Sequence, residues 1–290
     1  MARYSVVHTT HQRYRENVHR SRNEIRLQPV ESGWQHLVKI DVNVTPTAEM
    51  STSLDYYGNT VYLVAVESPH RELVLEFSSE VEVQPPHFTP VIDYPWDDDA
   101  LAFDPAAEFL APSPRVPRLK TTEDLVEALG LGFRDPESLL AANTRIREFF
   151  KYVPGATTVG TRLPEVLERR VGVCQDFAHV MVALARHAGW PARYVSGYLL
   201  PSTDEAVGES HAWVEIATPD GRWTGLDPTH GTVVSDGHIR VAVGRDYDDV
   251  PPVRGTFAGH MPGEPPEVKV RIKALAVAAD DVASYFFADQ

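Results

Sequence analysis

The first 84 residues alternate apolar and polar side chains at a period of two, which restricts that part of the chain to sheet. The segments are YSVVHTTHQRY at 4–14, HLVKIDVNVTP at 36–46, TVYLVAVE at 60–67 and RELVLEFSSEVEV at 71–83. β-branched and aromatic residues dominate them. Pro29, Gly33, Pro46, the Gly58-Asn59 pair and Pro69 break them. Antiparallel strands with no long helix between them predict a β-sandwich-like domain over 1–92. His8, His11, His19, His36 and His70 fall here at spacings that match no metal site, and scattered positions on the sheet surface are expected.

The texture then changes twice. Eight prolines between Pro85 and Pro117 mark a linker, placed at 93–120, with one short helical turn near 105–110. Asp97, Asp98 and Asp99 inside it read as a solvated turn. From 121 the period becomes helical, over 121–129, 135–153, 164–170 and 173–187. Strand patterns return at 192–200, 211–218, 222–227, 238–244 and 268–277. The expected fold class is α+β: an N-terminal β-sandwich-like domain, then helices packed on an antiparallel sheet. The second domain is placed at 121–257, followed by a C-terminal strand and tail at 258–290.

Cys174 is the chain's single cysteine, in GVCQDFAH at 172–179. Cys174, Phe177, Met181, Leu184 and Ala188 share one helix face, where an inert core cysteine would fit equally well. Its position at the presumed first turn, after Gly172, points the other way. There the unpaired N–H groups and the helix dipole favour a thiolate, and the same N–H groups can hold an oxyanion. Asp176 is expected to cap that helix. His179 lies about 140° round the axis from Cys174 and reads as structural.

A thiol nucleophile needs a base and a group to orient it. His211 opens the strand in SHAWVEI at 210–216, and Asp227 ends the next strand in GLDPTHG at 225–231. The Asp-Gly of PDGR predicts a hairpin that brings the two together, so Asp227 can set the imidazole tautomer. His230 reads as a turn residue. Trp213 and Trp223 either wall a cleft or pack across strands. Tyr152 and Gln175 are candidates for a second oxyanion donor. Asp246, Asp248 and Asp249 form an acidic loop, read as a solvated turn rather than a cleft lining.

GVCQDFAHVMVALARHAGWPARYVSGYL, SHAWVEI, GLDPTHG and HIRVAVGRDYDDVPPVRGTF resemble the bacterial transglutaminase-like cysteine proteins over about 172–257. HTTHQRY, RLQP and DYYGN look like the β-rich N-terminal region that accompanies that domain. The resemblance implies a papain-like thiol fold whose triad maps onto Cys174, His211 and Asp227. It implies thiol-dependent acyl transfer or hydrolysis at amide bonds, as in a cysteine peptidase, an amidase or a transglutaminase. A protein or peptide substrate is implied; no cofactor and no metal are expected, and nothing resembles the calcium sites of the animal transglutaminases, so calcium dependence is not assumed. Two rivals stay open: a non-catalytic protein-binding module that retains the fold, and a zinc site on the same three residues.

A formal net charge of −14 argues against nucleic acid or an anionic membrane as partner. No run of 18 apolar residues occurs, and the N-terminus does not read as a secretory leader. One cysteine suits a reducing compartment, and a cytoplasmic location is expected.

Overall fold

The computed structural model describes residues 2–84, 89–90, 106–130, 136–200, 208–218, 222–259 and 263–275. Its alternating first part supplies β1 (Ala2–Val18), β2 (Arg20–Ile25), β3 (Gln35–Thr45), β4 (Glu49–Leu54), β5 (Thr60–Val66) and β6 (His70–Val83). Strands β2 and β4 have no apolar alternation to read. The inward positions of β2 include Ser21 and Asn23, and β4 is exposed along its whole length. The histidines are not all on the surface. His8 and His70 are buried, bonded to Thr10 and Ser21 respectively.

The middle of the chain forms β7 (Thr89–Pro90), a 3-10 turn (Ala107–Leu110), α1 (Lys120–Ala128) and α2 (Pro136–Phe149). Then come β8 (Lys151–Tyr152), α3 (Leu163–Arg169), β9 (Val171–Gly172) and α4 (Cys174–His187). The helix expected to run to 153 therefore stops at Phe149. Lys151 and Tyr152 pair in parallel with Val171 and Gly172 instead, directly ahead of Cys174. The acid run Asp97–Asp99 lies outside the described residues. The remaining strands are β10 (Ala192–Leu199), β11 (Glu209–Thr218), β12 (Arg222–Asp227), β13 (Thr232–Val233), β14 (His238–Gly244), β15 (Val253–Ala258) and β16 (Glu267–Leu275).

Among the described residues three large sheets form besides the two-stranded β8-β9 pair. Two of them, ordered β16-β1-β6-β3 and β15-β2-β5-β4, are antiparallel and four-stranded. The third runs β13-β12-β11-β10-β14, with β7 also on β12. The late strand expected after 257 is present as β16, and residues 276–290, where the tail is expected, lie outside the described residues. β15 pairs with β2, and β16 pairs with nine residues of β1, from Arg3 to His11. The expected boundary at 257/258 thus cuts through β15. The physical reason is that β1 and β2 would otherwise present open edges, which a sheet closes with whatever strand can reach them. A local pattern announces a strand but not its partner.

Helix α4 is the centre of the second part. Every residue from Gln175 to Arg186 is buried, so the helix is wrapped rather than laid on the surface. Ala212, Val214 and Ile216 of β11 share its core, which continues without a break to Tyr4, Val6, Trp34, Val81 and Val83. The free edge of β14 is closed by side chains. The Gln35 amide donates to the Arg240 carbonyl and accepts from the Arg240 N–H, both at 2.8 Å. Asn59 makes the same pair of bonds to Val243, both at 2.8 Å. Two primary amides stand in for a further strand beside β14 and fix the third sheet against the N-terminal strands.

Candidate active site

The start of α4 is built by Asp176. Val173 precedes the helix in extended conformation, with φ −116°, and its N–H donates to Asp176 Oδ2 at 2.8 Å. The Thr157 hydroxyl donates to the same oxygen at 2.6 Å. Burial raises the Asp176 carboxyl above its ordinary value, and these two bonds pull the other way. Asp176 thus caps the helix, as expected. Cys174 is left as the first helical residue, partly buried, with an N–H that has no intrahelical acceptor.

Gly172 is needed for this approach. A Cβ there would lie 2.6 Å from the Cβ and from Oδ2 of Asp176. Gly172→Ala is expected to lose about 1–3 kcal/mol of stability by overpacking, read as a lower urea midpoint. The displaced Asp176 should also slow iodoacetamide alkylation of Cys174. An unchanged midpoint and rate would show that the helix start tolerates the methyl group.

The base and its orienting group come from the expected hairpin. β11 and β12 pair from Thr218↔Arg222 to Val214↔Leu226, and the turn at 219–221 lies outside the described residues. His211 Nε2 bonds Asp227 Oδ2 at 2.8 Å. The Cys174 side chain is near enough to the same imidazole to raise its basicity. With Nε2 given to Asp227, Nδ1 is the nitrogen left for it. Gly197 of β10 pairs with His211, and a Cβ at Gly197 would strike the Ile239 carbonyl and the Trp213 ring. The glycine lets Trp213 lie along His211, ring centroids 6.3 Å apart and planes 28° apart.

Electrostatics follow from this geometry. Burial opposes a charged His211. The hydrogen bond and charge of Asp227, with Cys174 beside the ring, outweigh it and hold His211 at about 10. Burial also opposes ionised Asp227, yet bonds from His211, His230 and His238 keep its carboxyl well below the usual carboxylate range.

Two of those histidines were not singled out in the sequence as partners of Asp227. His230 Nδ1 bonds Oδ2 at 2.8 Å, and His238 Nε2 reaches the same oxygen at 3.2 Å. Oδ1 accepts the N–H groups of Thr229 at 2.9 Å and His230 at 3.3 Å. His230 has a local signal, three residues after Asp227 in a turn. His238 has none, because it arrives only through the pairing of β14 with β10.

The other candidates sort by contact. His179 accepts the Tyr247 N–H at 3.2 Å, and burial, with Arg115 nearby, lowers it to about 3. Trp223 packs on Phe109 under the Arg193 guanidinium, away from His211. Tyr152 packs against the Phe177 ring, and Gln175 is buried in the first turn of α4. The acidic loop is not a solvated turn. Asp246 is 1 % exposed and accepts the N–H groups of Arg115 and Asp248, each at 2.8 Å. Asp248 and Asp249 pair with Arg115 and Arg245. The linker arginine folds back onto the loop, where Asp246 is buried and Asp248 and Asp249 are half-buried.

Among the described residues, His211, Asp227 and His230 are the group whose ligand atoms lie close enough for a metal, within 4.8 Å of one another. The oxygen at their focus already accepts ring N–H groups, so the cluster is complete as a hydrogen-bonded unit. No described helix is long and apolar enough to cross a membrane.

Comparison with known proteins adds relatives. The model of the transglutaminase-like superfamily matches residues 132–228, and that of the bacterial transglutaminase-like N-terminal region matches residues 4–82. An uncharacterized protein of Mycobacterium leprae is 33 % identical over 267 residues, 89 % of this chain and 94 % of its own length. One from Mycobacterium tuberculosis is 37 % identical over 290 residues, 87 % of each chain. A protein-glutamine gamma-glutamyltransferase of Pseudomonas aeruginosa is 32 % identical over 117 residues, 37 % of this chain but 18 % of its own. A crystal structure from Cytophaga hutchinsonii, provisionally named a cysteine protease, shares the fold. Its TM-score is 0.75 over 96 % of this chain and 92 % of its own, at 22 % identity.

Proposed function

The chain belongs to the transglutaminase-like superfamily, with the bacterial transglutaminase-like N-terminal region ahead of the core, and from that premise we propose that it is a thiol enzyme acting on amide bonds. The observation that carries this reading is His211, held by Asp227 on Nε2 at 2.8 Å, with the Cys174 side chain near enough to raise the basicity of the same ring. A thiol beside an imidazole that keeps its proton is the arrangement that favours a thiolate–imidazolium pair.

Cys174 Sγ attacks the amide carbonyl, and its N–H at the start of α4 helps to hold the oxyanion. As the C–N bond breaks, His211 gives its proton to the leaving amine, and a thioester remains on Cys174. Water or a second amine then attacks the thioester. His211 takes the proton of that nucleophile, and the thiolate leaves. Water makes the enzyme a peptidase or amidase, and an amine makes it a transglutaminase. Asp227 serves both halves by fixing the tautomer of His211 and stabilising its charge. The substrate is a protein or peptide, attacked at a glutamine side chain or a peptide bond. The enzyme works in the cytoplasm, where its one thiol stays reduced.

The test is to incubate the protein with a peptide and glutamine-ester library and weigh it intact. An acyl adduct on Cys174 in the wild type, absent in Cys174→Ala, is the expected result. No adduct with any member, together with alkylation no faster than that of a simple thiol at mildly acidic pH, would overturn the proposal.

A further inference from the structure

One oxygen of Asp227 has more donors than places. A carboxylate offers about four lone-pair sites, two on each oxygen. Oδ1 is filled by the backbone N–H groups of Thr229 and His230. Oδ2 takes three imidazoles: His211 and His230 at 2.8 Å and His238 at 3.2 Å.

The state of His238 follows from its second bond. The Ser235 N–H donates to His238 Nδ1 at 3.2 Å, so Nδ1 is bare and Nε2 carries the proton aimed at Oδ2. His238 is buried and edge-on to Trp213, ring centroids 5.2 Å apart, so its ring cannot swing away. Its Nε2 is an N–H donor fixed in place by β14. His230 differs, because half of its side chain is exposed.

We propose that His238, with His230, is a positioning residue that tunes His211 by sharing Asp227 Oδ2. Each further N–H on that oxygen draws off part of the negative charge that would otherwise bind the His211 proton. The sharing makes His211 a better acid toward a leaving amine than a lone Asp–His pair would be. The groups that face His211 are Cys174 from α4, Asp227 from β12, His230 from the following turn and His238 from β14. Trp213 is uncharged, and Gly197 on β10 has no side chain. This inference rests on the thiolate–imidazolium pair proposed above.

Because Cys174 is the only cysteine, iodoacetamide alkylation reads one site. Jumped from neutral into strongly alkaline buffer, the wild type should show a rise in alkylation rate centred near the His211 value of about 10, where the thiolate loses its charged partner. His238→Phe removes one donor from Oδ2 and should move that step upward by about half a pH unit. His238→Gln keeps an amide N–H and should return the step toward its wild-type place. A purely structural role predicts the opposite sign, since a loosened Asp227 would hold His211 less well and the step would fall. His230→Phe, at an exposed ring, should move the step upward in the same way and carries the test if His238→Phe does not fold. A step that stays in place or falls in the folded variants overturns the tuning alone. No step in the wild type overturns the ion pair and the tuning with it.

Discussion

Asp227→Asn should slow turnover by about four orders of magnitude while leaving the backbone of the hairpin in place. The size of the effect comes from what the carboxylate holds. Burial is the largest influence on His211 and works against its charge, and Asp227 is the first group that reverses it. With an amide at 227 the negative charge is gone and burial wins. His211 becomes neutral below its present value of about 10, and the thiolate loses its partner. One nitrogen of the new amide can only donate, and it meets imidazoles that also donate, so the tautomer of His211 is no longer set. Iodoacetamide alkylation at mildly acidic pH should fall with turnover.

Stability should respond with a definite sign. His211 has a raised value in the folded protein. Its contribution is therefore fully present below the ordinary value of 6.5 and is lost as the pH rises through about 10. Asp227 is depressed, so its contribution is present above its ordinary value of 3.8 and is lost as the pH falls through its lower folded value. The wild-type melting temperature should decline as the pH is raised toward 10, and the Asn variant should decline less. Full turnover by Asp227→Asn would remove Asp227 from the mechanism.

The parts of this site that the sequence disclosed are those with local signals. A glycine, a cysteine and an apolar 3–4 spacing marked the start of α4, and an Asp-Gly pair between two alternating segments marked the hairpin of His211 and Asp227. Contacts between distant segments left no such mark. The seating of β15 and β16 on β2 and β1 is decided by which edges are open, and a strand pattern is blind to that. β2 and β4 went unread because polar residues fill their inward positions or the strand has no inward face. His238 meets Asp227 only because β14 lies beside β10. The acidic loop was misread for the same reason, since Arg115 comes from the proline-rich linker more than 100 residues upstream.

Glu215→Ala should be the most destabilising single substitution in the third sheet, at about 3–5 kcal/mol. Glu215 is 4 % exposed and lies on β11, two alternate positions along from His211. Arg193 holds it through Nε at 2.7 Å and Nη2 at 2.5 Å, and Arg240 Nη1 lies 3.3 Å from both of its oxygens. Burial alone would raise its carboxyl, but the two guanidinium groups outweigh that and lower it. Each arginine also lies over an indole, Arg193 over Trp223 at 4.2 Å and Arg240 over Trp34 at 5.5 Å. Removing the carboxylate takes away the buried negative charge that Arg193 and Arg240 share, and that penalty exceeds the worth of the pair itself. Replacing Glu215, Arg193 and Arg240 together by Leu, Met and Met should therefore recover much of the loss, as a double-mutant cycle would read it. Urea unfolding followed by tryptophan fluorescence measures both. A Glu215→Ala loss below about 1 kcal/mol would mean that water reaches the arginines in the variant. None of the bonds from Glu215 reaches Cys174, His211 or Asp227, so below its melting range the variant should keep the wild-type rate of Cys174 alkylation. A rate that falls while the protein is still folded would instead tie the buried network to the geometry of the hairpin.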